Sequence, residues 1–68
     1  MKSLSGKELG KVLEEHGWQL LRIHGSHHIY GKSGLIARLS VPMHGNRAVK
    51  RGLLLHLLKA AGIDPAEL

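Results

Sequence analysis

The stretch WQLLRIHGSHHIYGKSGLIARLSVP, from Trp18 to Pro42, decides the fold. Trp18 to Ile23 is rich in strand formers, and His24-Gly25-Ser26 reads as a tight turn. His27 to Gly31 continues as a short strand, and Lys32-Ser33-Gly34 turns the chain again. Leu35 to Val41 alternates: Leu35, Ala37, Leu39 and Val41 share one face, and Ile36, Arg38 and Ser40 share the other. Pro42 has no amide proton to give a ladder, so it ends the strand. Three strands joined by short turns predict an antiparallel meander.

Helical signals flank this region on both sides. Ser5 and Glu8 have the S-x-x-E spacing of a capping box, in which the Ser5 hydroxyl satisfies an orphan amide while Glu8 reaches back. Leu4 and Leu9 fall where a hydrophobic staple would put them. Leu9, Val12, Leu13 and His16 repeat at helical spacing, and Gly17 suits the residue after a helix end. A helix from about Gly6 to His16 is predicted. Beyond the polar loop from Met43 to Val49, Leu54, Leu57, Leu58 and Ala61 form the apolar stripe of a second helix. Its start is expected between Lys50 and Leu53, with Lys59 near its negative end and Gly62 just past it. Asp64-Pro65 has the form of an N-cap followed by proline and opens one last helical turn. The order α-β-β-β-α predicts an α+β sandwich, two helices on one face of a three-stranded sheet. Trp18 and Tyr30 read as core residues. Leu53-Leu54-Leu55 cannot all face one core, so an exposed leucine is expected there.

The chain has 68 residues, room for one domain over residues 1–68 and no second core. Cysteine is absent, so neither disulfides nor thiolate chemistry are available. No run approaches the ~20 apolar residues of a membrane span. MKSLSGKELG has no apolar stretch of the kind a signal peptide needs, so a cytoplasmic protein is expected. The net charge is +5. The carboxylates Glu8, Glu14, Glu15, Asp64 and Glu67 all lie near the two ends. Between His16 and Ile63 there is no acid, while Arg22, Lys32, Arg38, Arg47, Lys50, Arg51 and Lys59 fall there with most of the histidines. A polyanion can approach that stretch without meeting a fixed negative side chain, which points to nucleic acid or an acidic protein partner.

The same distribution excludes several chemistries. A two-metal nuclease needs convergent carboxylates for its hard cations, and glycoside hydrolysis needs a carboxylate pair. Neither exists in the middle of this chain. Ser26 and His27 are adjacent on extended backbone and point to opposite faces, so they do not form a hydrolytic dyad. His24, His27, His28 and His44 suggest zinc, but strand parity separates His27 from His28, and structural zinc sites usually include cysteine. No metal or other cofactor is expected. RNA cleavage remains, because RNA carries its own nucleophile in the 2′-hydroxyl. Such an enzyme needs a group that moves protons near neutral pH, which histidine does, and cations to stabilise the phosphorane. On residue types and spacing alone, a hydrogen-bonded surface histidine is still the commoner reading of His27.

The segment Gly25-Ser26-His27-His28-Ile29-Tyr30 resembles the G-S-H-x-x-(F/Y) motif of HicA-type toxins, a family of mRNA interferases. The capped helix running into Gly17-Trp18 resembles that family's L-x-x-x-G-(W/F) approach to the first strand. Val41-Pro42-Met43-His44 resembles its V-P-x-H strand end. Lys50-Arg51-Gly52 followed by Leu57-Leu58-Lys59-Ala60-Ala61-Gly62-Ile63 resembles its K-x-G-T-x-x-x-I-L-K-x-A-G-(I/L) helix. Four segments in order cover almost the whole chain. The resemblance implies a fold like the double-stranded RNA-binding domain. It implies the toxin of a type II toxin–antitoxin system, an endoribonuclease that cleaves mRNA without metal, and a HicB-like antitoxin partner. It also implies that His27 is the catalytic acid or base.

The chain departs from the family pattern at Leu53, where the family has threonine, which removes a hydroxyl near the second helix start. No role carries over to His28, which reads as a solvated strand residue. Gly25 is expected to serve the turn and a close backbone approach. Ser26 has two readings, a phosphate hydrogen bond or a turn-fixing residue. Arg22, Arg38, Lys50 and Arg51 are candidate RNA-binding cations, against the plainer reading of solvated charges. The rival functions are a non-catalytic RNA-binding module of the same fold, and a decayed family member that only binds a partner protein.

Overall fold

The computed structural model describes residues 2–68, and its elements run helix, three strands, helix and a closing turn. Helix α1 spans Gly6–Glu15 and is capped as its sequence requires. The Ser5 amide donates to Glu8 Oε1 at 2.9 Å, and the Glu8 amide donates to Ser5 Oγ at 3.2 Å. The Ser5 backbone amide, and after it the Ser5 hydroxyl, hold the Glu8 carboxyl below its ordinary value. Leu4 and Leu9 are both buried, as a staple would have them.

Strands β1 (Gln19–His24), β2 (His27–Gly31) and β3 (Arg38–Pro42) form one antiparallel sheet in the order β1-β2-β3. The meander is present, but β3 is shorter than its alternation suggested. Leu35, Ile36 and Ala37 lie outside the strand and are exposed, Ile36 almost fully at 96%. Pairing with β2 stops at Gly31–Arg38, so no partner amides remain for them. Instead Arg38 Nη1 donates to the carbonyls of Leu35, Ile36 and Ala37, each at 3.1 Å, and holds the loop. A bulge between Leu20 and Arg22 interrupts β1, a feature the sequence did not signal.

Helix α2 spans Arg51–Ala61, begins without a side-chain cap at Lys50, and closes on Gly62 in the left-handed conformation. Asp64 Oδ1 accepts the Ala66 amide at 2.9 Å and opens the short 3-10 turn Pro65–Glu67. Both helices pack on one face of the sheet, chiefly over β3. Leu9, Leu13, Trp18, Tyr30, Leu39, Val41, Leu54 and Leu58 make the centre of the core. Burial pushes the Tyr30 hydroxyl up in pKa, with a smaller contribution from the Glu14 carboxylate. Leu54 is buried, and its neighbours Leu53 and Leu55 are both exposed. The Met43–Val49 segment is tied to the N-terminus, where the Val49 amide donates to the Leu4 carbonyl at 2.7 Å and Ser5 bridges Ala48.

Gly6 sets how closely α1 approaches the sheet. A Cβ built there would lie 2.1 Å from the Pro42 carbonyl oxygen and 2.9 Å from Met43 Sδ. The first turn of α1 therefore rests against the end of β3, beside the region that holds the candidate site.

Candidate functional site

Register sorts the sheet residues into two faces, because residues directly opposite each other on neighbouring strands point the same way. Tyr30 pairs with Leu20 and Leu39, and His28 pairs with Ile23 and Val41. These rows face the helices. The alternate rows face away from them: His24–His27–Pro42, Arg22–Ile29–Ser40 and Gln19–Gly31–Arg38. Among the described residues no helix covers this second face.

His27 stands at the hairpin end of that open face and is exposed. Its position is fixed by the backbone on both sides. The loop from His24 to His27 has only Gly25 and Ser26, and Gly25 takes φ 62°, as the first residue of a type II′ turn must. On the other side, the Met43 amide donates to the Ser26 carbonyl at 2.7 Å and extends the β2–β3 ladder past Pro42. The Ser26 backbone thus anchors the turn to β3.

The candidate cations divide by location. Arg22 shares His27's face, one row away. Arg38 shares the face too, but sits at its other end, about 13 Å along the strand by the rise per residue. Its guanidinium is already engaged with the loop carbonyls. Lys50 and Arg51 lie at the start of α2 and are both exposed. Lys50 borders a groove that begins at Pro42, the cross-strand partner of His27. Arg51 lies on a different depression, with Ser3 and Leu54.

That groove, with a volume of about 480 Å³, brings in residues that the sequence reading left unassigned. His44 and Arg47 line it with Lys50, and no carboxylate does. Leu53 forms part of its wall, so the residue that replaces the family's threonine faces the site. The loop from Met43 to Val49 carries the signal for this, a histidine and an arginine in an acid-free segment, but which face they join depends on how the loop returns. His28 is half-buried against α1, in a cleft with Lys7, Lys11 and Tyr30, and is not the solvated strand residue its sequence suggests. Tyr30 is buried, as expected of a core residue. Among the described residues, no three His, Asp or Glu side chains converge on a common point as a metal site would require, and no helix is long and apolar enough to cross a membrane.

The domain is thus a small α-β-β-β-α protein that presents a histidine on a sheet face which, among the described residues, no helix covers. Residues 6–63 match the family described as the HicA toxin of bacterial toxin-antitoxin. The match spans most of the chain, and the protein belongs to the HicA toxin family. No curated protein matches it.

Proposed function

We propose that this protein is the toxin of a type II toxin–antitoxin pair and that it cleaves mRNA as a metal-independent endoribonuclease. The observation that carries the reading is the placement of His27, exposed on the open sheet face and held by the Gly25-Ser26 turn next to a cation-lined groove. The reaction needs little more. The RNA 2′-oxygen bonds to phosphorus while the bond to the 5′-oxygen breaks, leaving a 2′,3′-cyclic phosphate and a 5′-hydroxyl end. One proton leaves the 2′-hydroxyl and one arrives on the 5′-oxygen. Histidine is a side chain suited to such proton transfer, and general acid or base catalysis by a positioned group contributes ~10²–10⁴ in rate.

Arg22 on the same face and Lys50 at the groove contact phosphates in this reading. Ser26 serves mainly through its backbone, and Arg38 mainly through the loop it holds. The substrate places the protein in the cytoplasm. A HicB-like antitoxin with acidic groups would cover the open face and compete with RNA.

The test is incubation of the wild-type chain and His27→Ala with a long single-stranded RNA in EDTA. Fragmentation by wild type alone supports the proposal. No fragmentation by either folded protein points to a non-catalytic RNA-binding module. Equal fragmentation by both removes His27 from the chemistry.

A further inference from the structure

We propose that His44 is a second catalytic residue, sharing proton transfer with His27 across a phosphate held at the mouth of the Pro42–Lys50 groove. This rests on the ribonuclease reading above and assigns a residue to which that reading gives no role. The geometry comes from the end of the β2–β3 ladder. His27 pairs directly with Pro42, and the Met43 amide bond to the Ser26 carbonyl continues the pairing one step further. Pro42 shares the open face with His27. Met43 turns the other way, packing against the core beside Gly6 and Gly10 of α1. His44 therefore returns to the side of Pro42, and the two line the same groove.

His44 stands two residues past Pro42, the cross-strand partner of His27, just beyond the end of the ladder. Diagonal positions on a continuing antiparallel pair lie about 7–8 Å apart, within reach of long or aromatic side chains. Two imidazoles extended from them can flank a phosphate without touching each other. Both are exposed, so RNA can reach them. Arg47 and Lys50 on the groove wall supply positive charge for the phosphorane, and no carboxylate lines the groove to oppose it.

The pair balances the protons of the reaction. One histidine takes the proton of the 2′-hydroxyl as its oxygen bonds to phosphorus. The other, protonated, gives its proton to the departing 5′-oxygen. Their protonation states are exchanged afterwards, and water hydrolysing the cyclic phosphate, with the roles reversed, restores them. No oxidant or metal enters the balance. A single histidine would have to leave one of those transfers to solvent.

The experiment measures cleavage of a defined RNA oligonucleotide in EDTA by the full chain across the pH range in which histidine titrates. Wild type, His27→Ala, His44→Ala and His44→Gln are compared, with RNA affinity and thermal melting measured beside the rates. The wild-type profile is expected to be bell-shaped. Both His44 variants are expected to fold, to bind RNA as wild type does, to cleave ~10²–10⁴-fold more slowly and to lose one limb of the bell. A substrate whose 5′-oxygen is replaced by sulfur leaves without needing a proton. It should restore the rate of one variant, His27→Ala or His44→Ala, and not the other.

Wild-type rates with both limbs intact in the His44 variants would overturn the proposal while leaving His27 in place. Loss of RNA affinity in proportion to rate, with the bell intact, would overturn it too, reducing His44 to a phosphate contact. Absence of cleavage by wild type, or full cleavage by His27→Ala, would instead strike at the ribonuclease reading on which the pair depends.

Discussion

The two faces of the sheet are made from the same strands, and consecutive residues of β2 belong to opposite regimes. His28 and Tyr30 point at the helices, opposite Val41 and Leu39, and Tyr30 is 4% exposed. His27 and Ile29 point away, in rows with His24, Pro42, Arg22 and Ser40. One face holds the molecule together, and among the described residues no helix covers the other. The division is uneven from strand to strand. Both helices centre on β3, where Leu39 and Val41 are buried. On β1, Leu20 and Ile23 face the helix side by register and are still 40% and 60% exposed. Register settles direction, and cover depends on where the helices lie.

Substitutions on the two faces should separate activity from stability. The largest effect expected is on activity alone. His27→Ala should lower RNA cleavage by ~10²–10⁴-fold with an unchanged melting temperature, since an exposed side chain adds little packing. A matching loss of stability in calorimetry would mean that the open face is structural after all. The helix face should behave in the opposite way. Leu58→Ala removes a fully buried side chain and should cost about 2–5 kcal/mol, read from urea unfolding. In so small a domain that is much of the available stability, and activity should fall only with the folded fraction.

Gly6→Ala tests the contact between α1 and the end of β3. Helix propensity favours alanine, but the Pro42 carbonyl lies where the new Cβ would go, so a net loss of about 1–3 kcal/mol is expected in denaturant melts. Unchanged or raised stability would show that α1 can shift without cost. Ser5→Ala should remove about 1 kcal/mol through the lost cap.

The smallest effect is pH-dependent. The Glu8 carboxyl titrates below its ordinary 4.5 in the folded chain, so its contribution is present above that value and is lost as pH falls through the lower, folded one. Melting temperatures of wild type should therefore drop more steeply in acid than those of Glu8→Gln. Parallel curves would show that the carboxylate's bonds do not survive in solution.

Legibility followed the range of the interaction. The cap of α1 could be read because Ser5 and Glu8 bond to each other three residues apart. The strand His27–Gly31 could be read for the same reason, and so could the turn before it, except that His24, read into the turn, is the last residue of β1. Leu35 to Ala37 misled because alternation shows what a strand could bury and says nothing about whether its partner continues. Here β2 ends at Gly31, and Arg38 takes the leftover carbonyls. For the site, the sequence pointed to His27 and to the acid-free stretch around it. It gave no means of ranking the cations, which the structure separates: Arg22 on the histidine's face, Lys50 at its groove, Arg38 engaged elsewhere and Arg51 on another surface.

The order of the elements, the capping box of α1 and the alternation that sends His27 and His28 to opposite faces are local properties of the chain. All of these arise from hydrogen bonds and periodicities spanning a few residues. Packing across the chain sets both helices against β3, leaves much of β1 exposed, and returns the loop after Pro42 so that His44, Arg47 and Lys50 lie beside His27's strand partner. Those outcomes depend on packing between segments far apart in the chain, where the contact that wins is set by the shape of the whole core and not by any local pattern.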